Sequence, residues 1–330
     1  MLSMNALTLL PALLWVGVAA AQPVATQIWP GKSVRVIVPF APGGTADTLG
    51  RIVSAKLSES MGQAFVVENR GGAGGLLGAE VVSKSAPDGY TLGVTGLGPL
   101  SIATAIAMVS TTKPPYDPVK DFSHVALFGG PPSVLAVHPA LPAIDLKQFI
   151  VLATSQRGVI NYGSAGNGST GQLLAELFKQ KSGARMQHIA YKGASSAVVD
   201  AIAGHIQAVS TTLTTTSAAM RARRLRALAI SSSGRLPDFP DVPTFRESGY
   251  PDLVASVWFS LSAPPATPTE VVTRLNAEVR RILQLAEVRE RLRPEGIETN
   301  TLDAKAFTEF VTAEVRRWGP LVRASGARHE

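Results

Sequence analysis

The sequence predicts an α/β protein with two mainly parallel sheets, and three observations carry that prediction. Strand-like runs alternate with helix-like runs along most of the chain, and many of the connections are short and glycine-rich. The alternation breaks once, at Gly129-Gly130-Pro131-Pro132, and then starts again. With 330 residues and a 45% apolar content, the chain can fill about two domains of ordinary size.

Ser33 to Val38 alternates in polarity and ends in a Pro/Gly turn, as a strand does, and Thr45 to Met61 follows with helical apolar spacing at Leu49, Ile52, Val53 and Leu57. Ala64 to Glu68 is a second strand. The glycine-rich stretch Arg70 to Gly78 leads into a second helix that ends near Pro87-Asp88-Gly89, and Thr91 to Thr95 is a third strand. His124 to Val137 holds two apolar strands separated by the Gly/Pro break. Beyond it the spacing predicts a helix over Leu146–Ala153, a strand over Val159–Tyr162, a helix over Ser169–Ser182, a strand over Met186–Tyr191 and a helix over Ala194–Ala203. Leu225 to Ser231 reads as the strand that carries the chain back. Thr267-Pro268-Thr269-Glu270 has the form of a capping box, with Val272, Leu275, Val279 and Leu283 as the buried face behind it. A last helix carries Phe307, Phe310, Val311, Val315 and Trp318 on one stripe, placed as packing residues.

Composition narrows the function. The apolar run Ala6 to Ala20, interrupted by Pro11 and closed by Ala19-Ala20-Ala21, has the layout of a secretory signal cleaved after Ala21, although no Lys or Arg precedes it. No other segment is long and apolar enough to span a bilayer. The chain has no cysteine, which excludes disulfides, thiolate metal sites and a cysteine nucleophile. Its net charge of +7 comes largely from arginines in the last third, such as Arg221, Arg223, Arg289 and Arg293. They lie in helix-like segments without interleaved aromatics, so a solvated face fits better than a nucleic-acid groove.

The chemistry concentrates in two turns. Pro39-Phe40-Ala41-Pro42-Gly43-Gly44-Thr45-Ala46-Asp47 and Tyr162 to Gly171 (Tyr-Gly-Ser-Ala-Gly-Asn-Gly-Ser-Thr-Gly) each join a strand to a helix. A helix N-terminus leaves backbone N–H groups unpaired and carries roughly half a positive charge, so both turns suit an anion. Neither contains Lys or Arg, so the clamp would consist of neutral, oriented donors. The first turn also has a purely structural reading, in which Gly43 and Gly44 make a tight connection and Asp47 complements the helix dipole.

Catalytic constellations are lacking. The five histidines show no metal-ligand spacing, and Asn167 stands where a Gly-x-Ser-x-Gly elbow would need its first glycine before Ser169. Gly31-Lys32-Ser33 resembles the end of a P-loop, but it precedes a strand and lacks the first glycine. Gly166-Asn167-Gly168-Ser169-Thr170-Gly171 does match Gly-x-Gly-x-x-Gly, which keeps a dinucleotide-dependent oxidoreductase as the rival reading. The following strand nevertheless ends Ala190-Tyr191-Lys192, without the acid that binds a ribose.

The ordered words Val38 to Asp47, Val67-Glu68-Asn69-Arg70-Gly71-Gly72-Ala73-Gly74-Gly75, Ala86-Pro87-Asp88-Gly89-Tyr90, Tyr116-Asp117-Pro118, Asn161 to Ser169, Tyr191-Lys192-Gly193 and Asp241-Val242-Pro243-Thr244 resemble the Bug-type substrate-binding proteins of tripartite tricarboxylate transporters. The resemblance covers nearly the whole chain beyond the signal. It implies a periplasmic, non-enzymatic receptor without cofactor or metal, of the two-lobed type II (Venus-flytrap) kind. The lobes would be 28–128 with 226–330, and 129–225. It also implies a monomer that closes on a small organic carboxylate and serves a permease of one large and one small subunit, or alternatively a sensor. Carried onto this chain, the first-lobe contacts are Phe40, Gly43, Gly44, Thr45, Asp47 and Thr95. Those of the second lobe are Ser164, Gly166, Asn167, Gly168, Ser169 and Thr170. Thr211, a further expected contact, and Thr212 stand where the family usually has an acid and an asparagine, which implies a ligand without an amine. Ser196 replaces a common proline and is expected to alter only the local turn.

Overall fold

The computed structural model describes residues 29–109, 113–155 and 159–325. The signal-like segment 1–21 lies outside the described residues.

Eleven strands are described, β1 (Val34–Val38), β2 (Phe65–Asn69), β3 (Thr91–Gly96), β4 (Ser123–Gly130), β5 (Ser133–Val137), β6 (Ile160–Ser164), β7 (Met186–Ala190), β8 (Ala208–Thr212), β9 (Arg226–Ile230), β10 (Phe259–Ala263) and β11 (Glu298–Thr299). They form two sheets, ordered β11-β4-β10-β3-β1-β2 and β7-β6-β8-β5-β9. Parallel pairing holds in β2-β1-β3 and β7-β6-β8, the halves that the strand–helix alternation builds. The remaining pairings are antiparallel, because β10 inserts between β3 and β4, and β5 between β8 and β9. Each sheet is therefore mixed. The strands that reverse direction, β5 and β10, are those the chain enters directly after crossing between sheets. The strand Arg226–Ile230, expected to open the return to the first lobe, pairs with β5 and belongs to the second sheet; the return comes after it.

Among the described residues, ten α-helices flank the sheets, α1 (Thr45–Met61), α2 (Leu76–Ser83), α3 (Ala103–Val109), α4 (Leu146–Thr154), α5 (Thr170–Ser182), α6 (Ala194–Ala203), α7 (Leu213–Arg221), α8 (Thr269–Gln284), α9 (Ala286–Leu292) and α10 (Ala304–Ser325). Helix α1 shows why the periodicity works. Leu49, Ile52, Val53 and Leu57 are all buried against the first sheet, each contributing about 1.5–3 kcal/mol of burial free energy, and Gly62 ends the helix with φ 70°, which its missing Cβ permits.

Three local readings change. The segment Leu97 to Val109, assigned to no element from sequence, is a π-turn over Gly98–Ile102 running into α3, with Leu97, Leu100, Ile102 and Ile106 fully buried. Pro99 sits in its first turn, where a proline costs no hydrogen bond. The capping box at Thr267 does not form: the Thr267 hydroxyl donates to the Pro264 carbonyl at 2.8 Å, and Pro268 is the cap residue. The buried face of α8 consequently begins at Val271, while Val272 is half-exposed.

Candidate ligand-binding cleft

Helices α1, α5, α6 and α7 all begin at the junction of the two sheets, because each follows the C-terminal end of a strand or its turn. There they border a cavity of about 50 Å³. Its polar wall is Gly44, Thr45, Ser169, Thr170, Thr211 and Thr212, and its apolar wall includes Phe40, Ala165, Val257 and Phe259. No ionisable side chain lines it.

In the first lobe, Gly43 takes φ 82° and donates its N–H to Asp47 Oδ2 at 3.0 Å. Asp47 also accepts from Arg51 Nε at 3.0 Å, and its Oδ1 accepts from Asn69 Nδ2 at 2.9 Å, which reaches on to the Phe40 carbonyl at 3.0 Å. Burial pushes the Asp47 carboxyl up, but the Arg51, Gly43 and Asn69 hydrogen bonds outweigh it and hold the group below its ordinary value. Asp47 thus braces the turn instead of facing the cavity. The helix cap is Gly44, which has no side chain to offer, so the Thr45 and Ala46 amides have no hydrogen-bond partner among the described residues and lie at the cavity wall.

The second lobe repeats the device with a different brace. Ser164 Oγ accepts the Gly166 N–H at 3.1 Å, Gln172 Oε1 accepts the Gly168 N–H at 2.7 Å, and the Ser169 N–H goes to the Gly166 carbonyl at 3.1 Å. Ser169 caps α5 by accepting the Gln172 N–H at 3.3 Å. The Thr170 and Gly171 amides have no hydrogen-bond partner among the described residues, and both residues line the cavity. Two pairs of residues with unpaired amides, one pair per lobe, therefore line the same space. Each helix end adds a field of about half a positive charge.

The lobes touch around this space. Thr45 Oγ1 lies 2.7 Å from Thr212 Oγ1 and 3.4 Å from Thr215 Oγ1. The Ala41 N–H donates to the Lys192 carbonyl at 3.2 Å, and Ser195 Oγ donates to the Pro42 carbonyl at 2.7 Å.

Of the expected contacts, Phe40, Gly44, Thr45, Ser169, Thr170 and Thr211 line the cavity. Gly43, Asp47, Ser164, Gly166, Asn167 and Gly168 do not, because they form or brace the turns behind it. Thr95 is also displaced from it. Its hydroxyl is held within the first sheet by Ser260 at 2.8 Å and Ser262 at 2.7 Å. Sequence reasoning missed Ala46, Gly98, Ala165, Gly171, Ala194, Thr212, Val257 and Phe259 as cavity residues. Gly171 had a signal, as the second residue of α5, whereas Val257 and Phe259 arrive on the returning crossing, which carries no local motif.

Comparison with known proteins agrees with this architecture. Residues 49–327 match the family model for the tripartite tricarboxylate transporter family receptor (TctC). Protein BugT of Bordetella pertussis is 36% identical over 312 residues, 94% of each chain. Among solved structures, R. palustris Rpa4515 with adipate is 34% identical with a TM-score of 0.85, covering 91% of this chain and 99% of that one. MatC from Rhodopseudomonas palustris with bound malate is 33% identical with a TM-score of 0.84, covering 89% and 100%. A two-lobed α/β architecture with helix N-termini at the lobe junction, and similarity over almost the full length of these relatives, place the chain in the TctC family of periplasmic solute receptors.

Proposed function

We propose that this receptor binds a small organic carboxylate lacking an ammonium group in the cavity between its lobes, and delivers it to a membrane permease of one large and one small subunit. The observation that carries the reading is that Thr45, Ala46, Thr170 and Gly171, whose amides are unpaired among the described residues, line one space without any charged side chain. Oriented neutral donors stabilise an anion without the strong hydration that a lysine would have to shed. Charge-assisted hydrogen bonds contribute about 1.5–3 kcal/mol each, so four or five, after ordering costs, reach the roughly 8 kcal/mol of micromolar binding. The adipate and malate held by the two R. palustris relatives are both carboxylates of this kind. Neutral Thr211 and Thr212 at the end of β8 offer an ammonium group no counter-charge.

The rival dinucleotide reading fits poorly, because the strand after the Gly166–Gly171 turn and its helix, β7, runs out through Ala190-Tyr191-Lys192 without an acid to bind a ribose. The protein acts as a monomer, exported with cleavage near Ala21. The N-terminal mass of the secreted chain and its mass in solution check both points.

A carboxylate panel in a thermal-shift screen, followed by calorimetry on wild type and Gly44→Val, tests the function. A Cβ at Gly44 would meet only the Ala41 carbonyl oxygen at 3.9 Å, and Gly44 has φ −87°, so valine is tolerated by the fold while adding bulk at a residue that lines the cavity. Unchanged affinity in this variant would place the ligand elsewhere.

A further inference from the structure

His188 on β7 lies behind the second-lobe turn and touches it through both ring nitrogens. Nε2 is 2.7 Å from Ser164 Oγ, and Nδ1 is 3.3 Å from Gln172 Nε2. These two partners are the ones that hold the turn, since Ser164 receives the Gly166 amide and Gln172 the Gly168 amide. The proton positions follow from the donors. Gln172 must present Oε1 to the Gly168 N–H, so its NH2 faces His188 and Nδ1 accepts; the ring proton is then on Nε2 and donates to Ser164. With both lone pairs of Ser164 Oγ thus taken, its own proton is left for the Gly166 carbonyl at 3.2 Å or for Ser169 Oγ at 3.0 Å.

A second proton on the ring has no place in this arrangement. It would sit on Nδ1, facing the Gln172 NH2, and turning the Gln172 amide over would set that NH2 against the Gly168 N–H. We propose that His188 is a positioning residue for the cavity: its neutral, Nε2-protonated ring fixes Ser164 and Gln172, and through them the direction in which the Thr170 and Gly171 amides point. Protonating it loosens the turn and releases ligand in acid. The inference rests on the cavity being the ligand site. The charged and titratable groups around the ring are Glu176 and Lys179 on α5 and Tyr162 on β6, whose ring centroid is 5.1 Å away. Burial keeps the ring neutral, lowering it to about 4, with Glu176 raising it and Lys179 lowering it. The ring is only partly buried, so protons reach it.

The test combines ligand-free NMR with binding. In the wild-type protein, side-chain 15N shifts of His188 should report the Nε2–H tautomer at pH 7, and the Gly166 and Gly168 amide peaks should move with the ring as it titrates. In His188→Phe those amide movements should vanish, and affinity for adipate or L-malate at pH 7 should fall about tenfold, with His188→Gln, which can still donate to Ser164, recovering part of the loss. An Nδ1–H tautomer, or glycine amides indifferent to the ring's ionisation, overturns the proposal. So does wild-type affinity in a folded His188→Phe protein. Failure of the wild type to bind either acid counts against the cavity as a site for them, and the NMR result still decides the role of His188.

Discussion

Gly193→Ala is the sharpest perturbation of lobe closure. Gly193 has φ 174°, extended backbone that alanine adopts without strain, so the variant leaves its own lobe undisturbed. Across the cleft, however, the new Cβ would lie 2.7 Å from Ala41 Cβ and 2.8 Å from Ala41 N, where carbon contacts settle near 3.5–4.0 Å. The lobes must part by roughly 1 Å at this rim. That stretches the Ala41 N–H to Lys192 bond, now 3.2 Å, out of range and strains the Ser195 to Pro42 bond at 2.7 Å. One or two lost hydrogen bonds amount to about 1–3 kcal/mol of closure free energy. With the ligand held between closed lobes as proposed, apparent affinity falls by up to the same amount, about 5- to 150-fold. Calorimetry with adipate and malate measures the loss, small-angle scattering measures the opening, and Gly234→Ala, whose Cβ meets nothing within 4 Å, serves as the control. Wild-type affinity together with an unchanged scattering profile would refute the reasoning.

Thr45→Val removes one hydroxyl of the Thr45–Thr212–Thr215 contact but leaves Thr212 and Thr215 paired at 3.0 Å, so affinity should drop by only about 0.5–1.5 kcal/mol in calorimetry. Thr211→Asp places a carboxylate in the cavity wall, and competition assays should show plain carboxylates weakened relative to amino acids; an unchanged ratio rejects the assignment of Thr211. Stability should depend on pH through His124, which burial lowers to about 4. The unfolded chain takes up this proton near pH 6.5 and the folded one near 4, so the His124 contribution is complete above 6.5 and lost as pH falls toward 4, on the order of 3 kcal/mol. Thermal melts of wild type and His124→Phe over that range should differ in slope, steeper for wild type.

Most elements were legible because their signals are local. Apolar spacing at Leu49, Ile52, Val53 and Leu57 defines a face whatever it packs against, and the turns after β1 and β6 carry their own glycines and caps. The helix after Leu97 was hidden, since Gly98-Pro99 reads as a break until burial of Leu100 and Ile102 outweighs propensity. Sheet membership of Arg226–Ile230 was equally hidden: pairing is long-range, and nothing in that strand distinguishes β5 from a partner in the other sheet.

The sequence by itself determined the two arginine-free turns, their strand-to-helix context and the family to which they belong, because these depend on residue types at fixed short spacing. Only the tertiary structure decided which residues of those turns line the cavity between the lobes. Gly43, Gly166 and Gly168 look like anion donors in sequence, yet their amides are taken by Asp47, Ser164 and Gln172, which leaves the unpaired amides of Thr45, Ala46, Thr170 and Gly171 at the cavity wall. A backbone amide can serve one strong acceptor, and which acceptor it meets depends on side chains brought together by folding, as with Asn69 on Asp47 and His188 on Ser164.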